Sequence, residues 1–238
     1  AMEGFIPYVN TIATFLTRRC YEQISIDVGL HRLPVRLIGN GGGVVYAPLG
    51  PTHQAIDDIA IMRAIPNMTV IAPCDAWEME KVIKASLDWR DPIYIRVAKG
   101  GDEKVGHNLA DLEIGKGIMI RDGVDAAFVS TGVMTQRALA ASRQLEELGV
   151  DCGVLHFHTL KPLDTDLLRE VSEKTKVLIT IEEHMRTGGL GSIVLETIND
   201  LRISRVPEVI RLGLPDMFAG DYGSQDSLLN QAGLNWQS

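Results

Sequence analysis

The stretch LGPTHQAIDDIAIMRAIPNMTVIAP, residues 49–73, indicates the fold class of this chain. Its Gly-Pro pair marks a turn, and apolar residues spaced three and four apart predict a helix over residues 53–65. The β-rich run at residues 68–73 then predicts a buried strand. A turn that leads through a helix into a strand is typical of βαβ units, whose strands lie parallel. The stretch also places His53 at the mouth of the helix, and that position needs a chemical explanation.

The same alternation runs through the rest of the chain. Further strands are predicted within residues 6–10, 34–39, 92–97, 117–123, 126–132, 152–158, 177–183 and 208–214. Further helices are predicted within residues 14–28, 75–89, 134–149, 163–174 and 190–201. We therefore expect an α/β protein made of two domains, each with a mainly parallel sheet flanked by helices. The domains are residues 1–98 and 117–238, and a linker rich in glycine and charge joins them at residues 99–116.

Composition excludes several classes of function. The chain has 238 residues, of which 45% are hydrophobic, so it can bury a large core. The net charge of −8 argues against a nucleic-acid partner. Since no apolar run approaches the ~20 residues of a membrane span, and no signal peptide is recognisable, we expect a cytoplasmic protein without a membrane partner.

The three cysteines, Cys20, Cys74 and Cys152, are odd in number and far apart. They form no CxxC pair and no Cys/His ligand spacing, so we expect no disulfide and no metal ligands in this chain. Because cysteine is one of the most frequently buried residue types, we predict three buried, reduced thiols.

Helix boundaries carry their own signals. Asp75 is a predicted N-cap with Glu78 three residues later, which is the spacing of a capping box. Asp164 or Thr165 is predicted to cap a later helix, and Gly149 to end another in the left-handed conformation.

The run GNGGGVVYAPLGPTHQ, residues 39–54, is the first candidate site. Glycines that follow a predicted strand allow positive φ or a close approach of the backbone. His53 falls at the carboxyl-end side of a parallel sheet, where open α/β sheets bind ligands. A glycine-rich loop with a capping Thr52 and a surface histidine remains the alternative.

The run TIEEHMRTGGLGSIVLE, residues 180–196, is the second candidate site. Two acids and a histidine end a predicted strand, and Gly-Gly-Leu-Gly enters a helix. The backbone N–H groups there could bind an anion or make a tight turn, and the tight turn is favoured.

Two single residues complete the candidates. Phe15 is either a core residue of an amphipathic helix or an aromatic platform at its start. Arg96 ends an otherwise apolar strand, so its guanidinium needs an anionic partner such as a phosphate, or an exit to solvent.

Five segments, taken in order, resemble the transketolase family. They are ATFLTRR, LGPTHQAIDDIAIMRAIPNMTVIAPCDAWE, PIYIRV, TIEEHMRTGGLGS and GLPDMFAGDYGSQDSLL. The resemblance is to its C-terminal half, which many bacteria make as a separate subunit, and it covers nearly the whole chain. It implies an N-terminally incomplete pyrimidine-binding domain followed by a transketolase C-terminal domain. It also implies thiamine diphosphate as cofactor, with the diphosphate and a magnesium or calcium ion bound mainly by a partner N-terminal subunit.

The resemblance assigns roles to individual residues. His53 matches the histidine that reaches the aminopyrimidine and the substrate, so it is the expected catalytic residue and a substrate ligand. Phe15 matches the aromatic ring that stacks on the aminopyrimidine. Ile12 stands where the family often has a further aromatic residue, and Arg96 matches an arginine that binds the substrate phosphate.

Departures from the family pattern concern the substrate. Leu49 stands where the family has an acid, and GNGGG replaces a segment with a histidine. Both family residues contact substrate hydroxyls, so Asn40 and Tyr46 are the expected replacement contacts and a specialised sugar is a sub-hypothesis. The glutamate that activates the cofactor belongs upstream in the family, and Glu3 does not match it. The chain as it stands is therefore expected to be inactive alone, with an open edge or cavity in its first sheet.

We predict from these residues the C-terminal subunit of a split transketolase, which transfers a two-carbon ketol unit between sugar phosphates or related sugars. The expected assembly is a two-fold heterotetramer with a diphosphate-binding subunit. A 1-deoxyxylulose-5-phosphate synthase-like enzyme, a 2-oxo-acid dehydrogenase β-like subunit and a non-catalytic assembly subunit with the same fold remain alternatives.

Overall fold

The computed structural model describes residues 1–105, 112–203 and 205–235, and shows the α/β architecture that the sequence predicts. Part of the predicted linker, residues 106–111, lies outside the described residues. None of the helices within these ranges is long and apolar enough to cross a membrane.

The first sheet has the strand order β1-β2-β4-β3-β8. Its strands are β1 Tyr8–Ile12, β2 Arg36–Asn40, β3 Thr69–Ile71, β4 Ile93–Val97 and β8 Thr159–Lys161. The first four run parallel, whereas β8 pairs antiparallel with β3. β1 lies at one edge of the sheet, and most of its side chains are exposed.

Helices connect these parallel strands. The connection from β1 to β2 consists of wide helical turns at Phe15–Arg19 and Ile24–Leu30 on either side of the short α1, Tyr21–Gln23. The later connections contain α2, Asp58–Ala64, and α3, Ala76–Ser86.

The second sheet has the order β10-β9-β6-β7-β5. Its strands are β5 Ile118–Arg121, β6 Ala126–Ser130, β7 Cys152–His156, β9 Val177–Met185 and β10 Glu208–Leu214. All neighbours are parallel except β5 and β7. The accompanying helices are α4 Met134–Glu147, α5 Thr165–Lys174, α6 Leu190–Leu201 and α7 Gln225–Gln231.

The apolar core does not stop at the boundary between the two sheets. One cluster of buried side chains contains Leu37 and Ile59 from the first part of the chain together with Leu155, Leu168 and Val194 from the second. Since β8 also completes the first sheet, the two parts of the chain share both a hydrogen-bonded strand and a hydrophobic core.

The predicted caps at Asp75, Asp164 and Gly149 are present. The carboxylate of Asp75 accepts a hydrogen bond from the backbone N–H of Glu78, and that of Asp164 accepts one from Leu167. Gly149 has a φ of +84° just beyond α4, which is the left-handed conformation expected of a helix C-terminus.

Two of these expectations were wrong, and two elements were not predicted. The helix predicted over residues 53–65 begins only at Asp58, because Ala55 is held beside Gly43 by a pair of backbone hydrogen bonds. Cys74 and Cys152 are buried, but Cys20 is exposed on the helical connection after β1. Neither β8 nor α7 was predicted, because both are short and rich in polar residues.

Candidate functional site

The candidate site lies at the carboxyl edge of the first sheet. Ile12 at the end of β1 is in register with Asn40 at the end of β2, and Asn40 is in register with Val97 of β4. Phe15 follows β1 and the glycine run follows β2, so the parallel strands bring both predicted segments to this edge.

Phe15 and His53 lie side by side. Their ring centroids are 5.0 Å apart, with the planes at 65°, which is an edge-to-face contact. The guanidinium of Arg19 lies over the Phe15 ring, 4.1 Å from its centroid. Phe15 and His53 are half-buried, so the chain presents a ring and an imidazole that are both partly accessible.

His53 lies in a turn rather than in a helix. The Thr52 hydroxyl lies 2.9 Å from His53 Nδ1, so it is engaged with the imidazole and does not cap α2 as predicted. The backbone N–H of His53 donates to the carbonyl of Gly50. These contacts fix the turn, and the hydroxyl at Nδ1 restrains the imidazole.

The second domain holds the loop that leads to His53. The backbone N–H of Val44 donates to Glu183 Oε1 at 2.8 Å, and the Gln225 amide donates to both oxygens of Glu183. A Cβ on Gly43 would lie 2.4 Å from Glu183 Cδ, and Gly43 has a φ of +73°. Glycine is therefore required at this position for both the space and the backbone conformation.

An ion pair fastens the Phe15 segment to the start of α2. Arg18 Nε and Nη2 donate to the carboxylate of Asp57, with the shortest contact at 2.8 Å. Because Arg18 is close to Phe15 and Asp57 is close to His53 in sequence, this bidentate contact ties together the two segments that carry the candidate site.

Arg96 has an internal partner. Its Nε donates to Asp58 Oδ2 at 2.8 Å, and its Nη2 donates to the carbonyls of Ala55 and Glu183. Burial opposes the charge on Arg96, but the neighbouring Asp58 and Glu183 carboxyls raise its pKa above the ordinary value. The Tyr94 hydroxyl also donates to Asp58 Oδ2. The predicted need for an anion is thus met by Asp58, and the phosphate role of Arg96 stays a prediction.

The other predicted substrate ligands occupy separate places at the same edge. Asn40, at the end of β2, donates its amide to the side-chain oxygen of Asn10 in the middle of β1. Tyr46 packs against Gly41, where a Cβ would lie 2.1 Å from the tyrosine ring. Their contact with a substrate stays a prediction.

The turn after the Glu-Glu-His segment of β9 is closed by a side chain of that strand. The backbone N–H groups of Leu190 and Gly191, at the start of α6, donate to the carboxylate of Glu182 at 2.7 and 2.9 Å. Burial nevertheless raises the pKa of Glu182 to about 7, and that of Glu183 likewise. The favoured tight-turn interpretation is confirmed, since Glu182 occupies these N–H groups.

A buried cluster between the two parts of the chain was not predicted. Ligand atoms of Cys74, Glu78 and His156 all lie within 4.8 Å of one another. Glu78 already accepts hydrogen bonds from His156 Nε2 and from the Cys74 backbone N–H, and His156 Nδ1 meets the Thr135 hydroxyl. Although burial opposes it, the contact with His156 lowers the pKa of Glu78 to about 2, and this buried contact links α3 to β7.

Sequence reasoning also missed the acids that organise the site. Asp57 and Asp58 are adjacent in the quoted stretch, and the doublet was visible there as two charges at the start of a helical pattern. Their partners, Arg18 and Arg96, are 39 and 38 residues away, so no local pattern identifies the pairs.

Two family models match the chain and together cover nearly all of it. The transketolase pyrimidine-binding domain matches residues 1–101, and the transketolase C-terminal domain matches residues 115–238. The chain belongs to the transketolase family.

Individual relatives agree with this assignment. The chain is 37% identical to one subunit of the apulose-4-phosphate transketolase of Phocaeicola vulgatus over 218 residues, covering 91% of this chain and 68% of that protein. A split-gene transketolase, solved as an inactive beta4 tetramer, superposes with a TM-score of 0.88 at 33% identity, covering 99% of this chain and 74% of the other. A 1-deoxy-D-xylulose-5-phosphate synthase of Syntrophotalea carbinolica is 39% identical over 239 residues, which are 99% of this chain but 37% of that enzyme.

Proposed function

We propose that this chain is the C-terminal subunit of a thiamine-diphosphate-dependent transketolase and transfers a two-carbon ketol unit between sugar phosphates or related sugars. It acts with a diphosphate-binding partner subunit in a two-fold assembly. The observation that carries the proposal is the contact between Phe15 and His53 at the carboxyl edge of the sheet in the pyrimidine-binding region.

The residues at this edge fit the pyrimidine end of the cofactor. An aminopyrimidine needs an aromatic or apolar face to stack on, and the half-buried Phe15 ring, with Ile12 at the end of the adjacent strand, provides one. The cofactor supplies the carbon centre that accepts the ketol unit. The diphosphate and its magnesium or calcium ion are assigned to the partner subunit.

The roles of the chain's own residues follow from their positions. Phe15 orients the pyrimidine by stacking, and Arg18 keeps Phe15 near His53 through its ion pair with Asp57. The His53 imidazole, restrained by Thr52 at Nδ1, donates a hydrogen bond or moves a proton at Nε2. When Nε2 carries the proton of the neutral imidazole, Nδ1 accepts a hydrogen bond from the Thr52 hydroxyl.

Substrate binding is assigned to His53, Asn40, Tyr46 and Arg96. Asn40 and Tyr46 offer uncharged polar groups that suit sugar hydroxyls. Nε and Nη2 of Arg96 already donate to Asp58 and to two backbone carbonyls. The remaining edge of the guanidinium would contact a substrate phosphate. Because Asp58 already balances its charge, we expect Arg96 to contribute less phosphate affinity than an unpaired arginine would.

A second candidate is a 1-deoxyxylulose-5-phosphate synthase-type reaction. The 39% identity with the Syntrophotalea carbinolica enzyme, over nearly all of this chain, favours it. The two functions differ in the donor: a ketose phosphate for the transketolase, and pyruvate for the synthase.

The test is reconstitution of the full-length chain with its diphosphate-binding subunit, thiamine diphosphate and magnesium. Ketol transfer is measured from xylulose 5-phosphate, and condensation is measured in parallel from pyruvate and glyceraldehyde 3-phosphate. The proposal predicts transfer from xylulose 5-phosphate or another ketose, and loss of this transfer in His53→Gln. Turnover of pyruvate alone would establish the second candidate, and no turnover of any donor by a cofactor-loaded complex would contradict both.

A further inference from the structure

The buried cluster between the two parts of the chain contains three types of metal-binding side chain. Cys74 directly precedes the N-cap of α3, Glu78 lies in the first turn of α3, and His156 ends β7. The thiol sulfur, a carboxylate oxygen and a ring nitrogen all lie within 4.8 Å of one another. All three residues are 0% exposed, so their ligand atoms face each other rather than solvent.

The joint between the two sheets brings these residues together. The backbone N–H of Ala72, just after β3, donates to the carbonyl of His158, just after β7. This hydrogen bond accompanies the pairing of β3 with β8 and sets the start of α3 beside the end of β7. Sequence spacing predicted no metal ligands, because a site of this kind is assembled only by the fold.

The charges of the cluster suit a divalent cation. Although burial opposes ionisation, the contact with His156 lowers the pKa of Glu78 to about 2, so the carboxylate is charged. Burial and the neighbouring Glu78 raise the pKa of the Cys74 thiol, which therefore keeps its proton unless a cation replaces it. A divalent cation with one carboxylate, one thiolate and one neutral imidazole has no net charge, which reduces the cost of burial.

The ligand set selects the class of metal. Sulfur, nitrogen and oxygen together suit zinc, whereas magnesium and calcium prefer oxygen ligands alone. Zinc–ligand bonds of about 2.0–2.3 Å in a tetrahedron place the ligand atoms about 3.3–3.6 Å apart. The present separations run from 2.8 Å, between His156 Nε2 and Glu78 Oε2, to at most 4.8 Å. An ion is therefore accommodated by side-chain shifts of about 1 Å.

The surroundings of the ligands are also those of a metal site. His156 Nδ1 lies 2.8 Å from the Thr135 hydroxyl, which lies 3.1 Å from that of Ser130. Histidines that bind a metal usually make such a hydrogen bond with the other ring nitrogen, because it fixes the orientation of the ring. Here the Thr135 contact leaves Nε2 directed at Glu78.

We propose that Cys74, Glu78 and His156 bind one zinc ion, which fastens the start of α3 to the end of β7. Three protein ligands leave the fourth tetrahedral position for a water molecule. The site is separate from the magnesium or calcium ion assigned to the partner subunit, and it does not depend on the proposed ketol transfer.

The test is titration of the chelator-treated full chain with Co²⁺, followed by an excess of Zn²⁺. Cobalt reports its own ligands, since a thiolate gives a charge-transfer band in the near ultraviolet and a tetrahedral site gives intense visible bands. The proposal predicts one bound cobalt ion per chain with both features. Zinc should remove both and raise the melting temperature by mass action.

Cysteine variants assign the thiolate. The double variant Cys20→Ser, Cys152→Ala leaves Cys74 as the only cysteine and should keep the charge-transfer band. Cys74→Ser should abolish this band and weaken cobalt binding by more than about 100-fold. Thr135→Val removes only the hydroxyl beside His156 Nδ1, so we expect a loss of about 10- to 100-fold. Circular dichroism checks that each variant is folded.

Contrary results are well defined. Less than one cobalt ion per chain, or binding without the charge-transfer band, would overturn the proposal in the wild type alone. An unchanged band in Cys74→Ser would show that another thiol is the ligand. If Cys74→Ser does not fold, the double variant still decides, because loss of its band excludes Cys74. No measurement involves ketol transfer, so failure here is distinct from failure of the proposed function.

Discussion

His53 is positioned by contacts that the sequence alone shows only in part. Its imidazole lies between the Phe15 ring and the Thr52 hydroxyl, and the preceding turn is closed by backbone hydrogen bonds. A side chain restrained in this way loses little rotamer entropy when it meets a substrate, which favours a role in proton transfer.

Replacing His53 tests this role at the level of one side chain. We expect His53→Gln in the reconstituted enzyme to lower kcat by about 10²-fold or more, because a general acid–base contribution of that size is lost. The concentration of thiamine diphosphate that gives half-maximal stabilisation should be unchanged. Steady-state kinetics and cofactor titration measure the two quantities, and His31→Gln, at an exposed histidine, is the matched control.

A fall in cofactor affinity without a fall in kcat would instead make His53 a cofactor ligand. Loss of activity in His31→Gln would show that histidine replacement acts on the fold.

The buried pair of Arg96 and Asp58 gives a stability prediction. Removing one partner of a buried ion pair leaves an uncompensated charge, so we expect Asp58→Asn to lower the free energy of unfolding by about 3–5 kcal/mol. Urea denaturation measures this change. Asp91→Asn, in the exposed pair with Arg32, should leave the urea midpoint almost unchanged. Similar midpoints for the two variants would show that Asp58 is not required to balance Arg96.

How far the sequence predicts a single residue depends on where its partners lie. The position of Arg96 at the end of an apolar strand predicted either an anionic partner or an exit to solvent, and the structure contains the anionic partner. Which anion it is could not be predicted, because Asp58 lies 38 residues away in the chain. The same limit applies to Glu78 and His156, which are in contact but lie 78 residues apart in the chain.

At the scale of elements, the glycine run is explained by what packs against it. Gly43 combines a positive φ with the Glu183 side chain at a distance that excludes a Cβ. Gly149 also has a positive φ, but nothing lies within 4 Å of its Cβ position. A side chain at Gly149 would therefore meet only backbone strain, whereas a side chain at Gly43 would meet both backbone strain and a steric clash.

This pair gives a matched experiment. Gly149→Ala should cost about 1 kcal/mol in the free energy of unfolding, because only the left-handed backbone is disfavoured. Gly43→Ala should cost clearly more, since Glu183 must also move. Thermal or urea unfolding compares the two variants, and equal losses would mean that the loop moves freely away from Glu183.

Strand β9 carries a pH-dependent contribution to stability. Burial raises the pKa of Glu182 and Glu183 to about 7, whereas a glutamate in an unfolded chain titrates near ~4.3. Between these values the folded protein holds protons that the unfolded chain does not. The two glutamates thus add to the free energy of unfolding in full at low pH, and this stabilisation is lost as the pH rises through about 7.

The expected result is a stability that declines from about pH 5 to about pH 8, with a smaller decline in Glu183→Gln. Urea midpoints across this range measure it. Burial lowers the pKa of His184, so the contribution of His184 to stability is lost as the pH falls, opposite to that of the two glutamates. Comparison of the wild type with the variant isolates the effect of Glu183. Glu78, whose pKa lies at about 2, acts only in more acidic solution. Parallel pH profiles for the two proteins would contradict a raised pKa of Glu183.

Elements with strong periodicity were predicted well, and short ones were not. The parallel strands and α3 to α6 were found from apolar patterns and caps. β8 has three residues and gains its stability by pairing with β3, which no local pattern reports. The start of α2 was misplaced because residues near Ala55 use their hydrogen bonds to close the glycine loop instead.

At the scale of the whole molecule, the two sheets act as one support for the site. β8 extends the first sheet, Glu183 and Gln225 hold the loop before His53, and the Glu78–His156 pair crosses between the two parts of the chain. Movement of the second domain would therefore displace the His53 loop. The pyrimidine-binding region supplies the residues of the site, and the C-terminal domain determines their position.

We propose that this chain provides the pyrimidine-binding face of a thiamine diphosphate site shared with a partner subunit. The most direct measurement is the dissociation constant of thiamine diphosphate for the reconstituted complex with magnesium, for the wild type and for Phe15→Leu. Exposed Phe5→Leu serves as the control.

Loss of a stacking contact worth about 0.5–1.5 kcal/mol should weaken cofactor binding by roughly 2- to 10-fold in Phe15→Leu, while Phe5→Leu binds like the wild type. Ligand-induced stabilisation by mass action provides an independent readout. Equal affinities in all three complexes, or no binding of thiamine diphosphate to the wild-type complex, would contradict the claim.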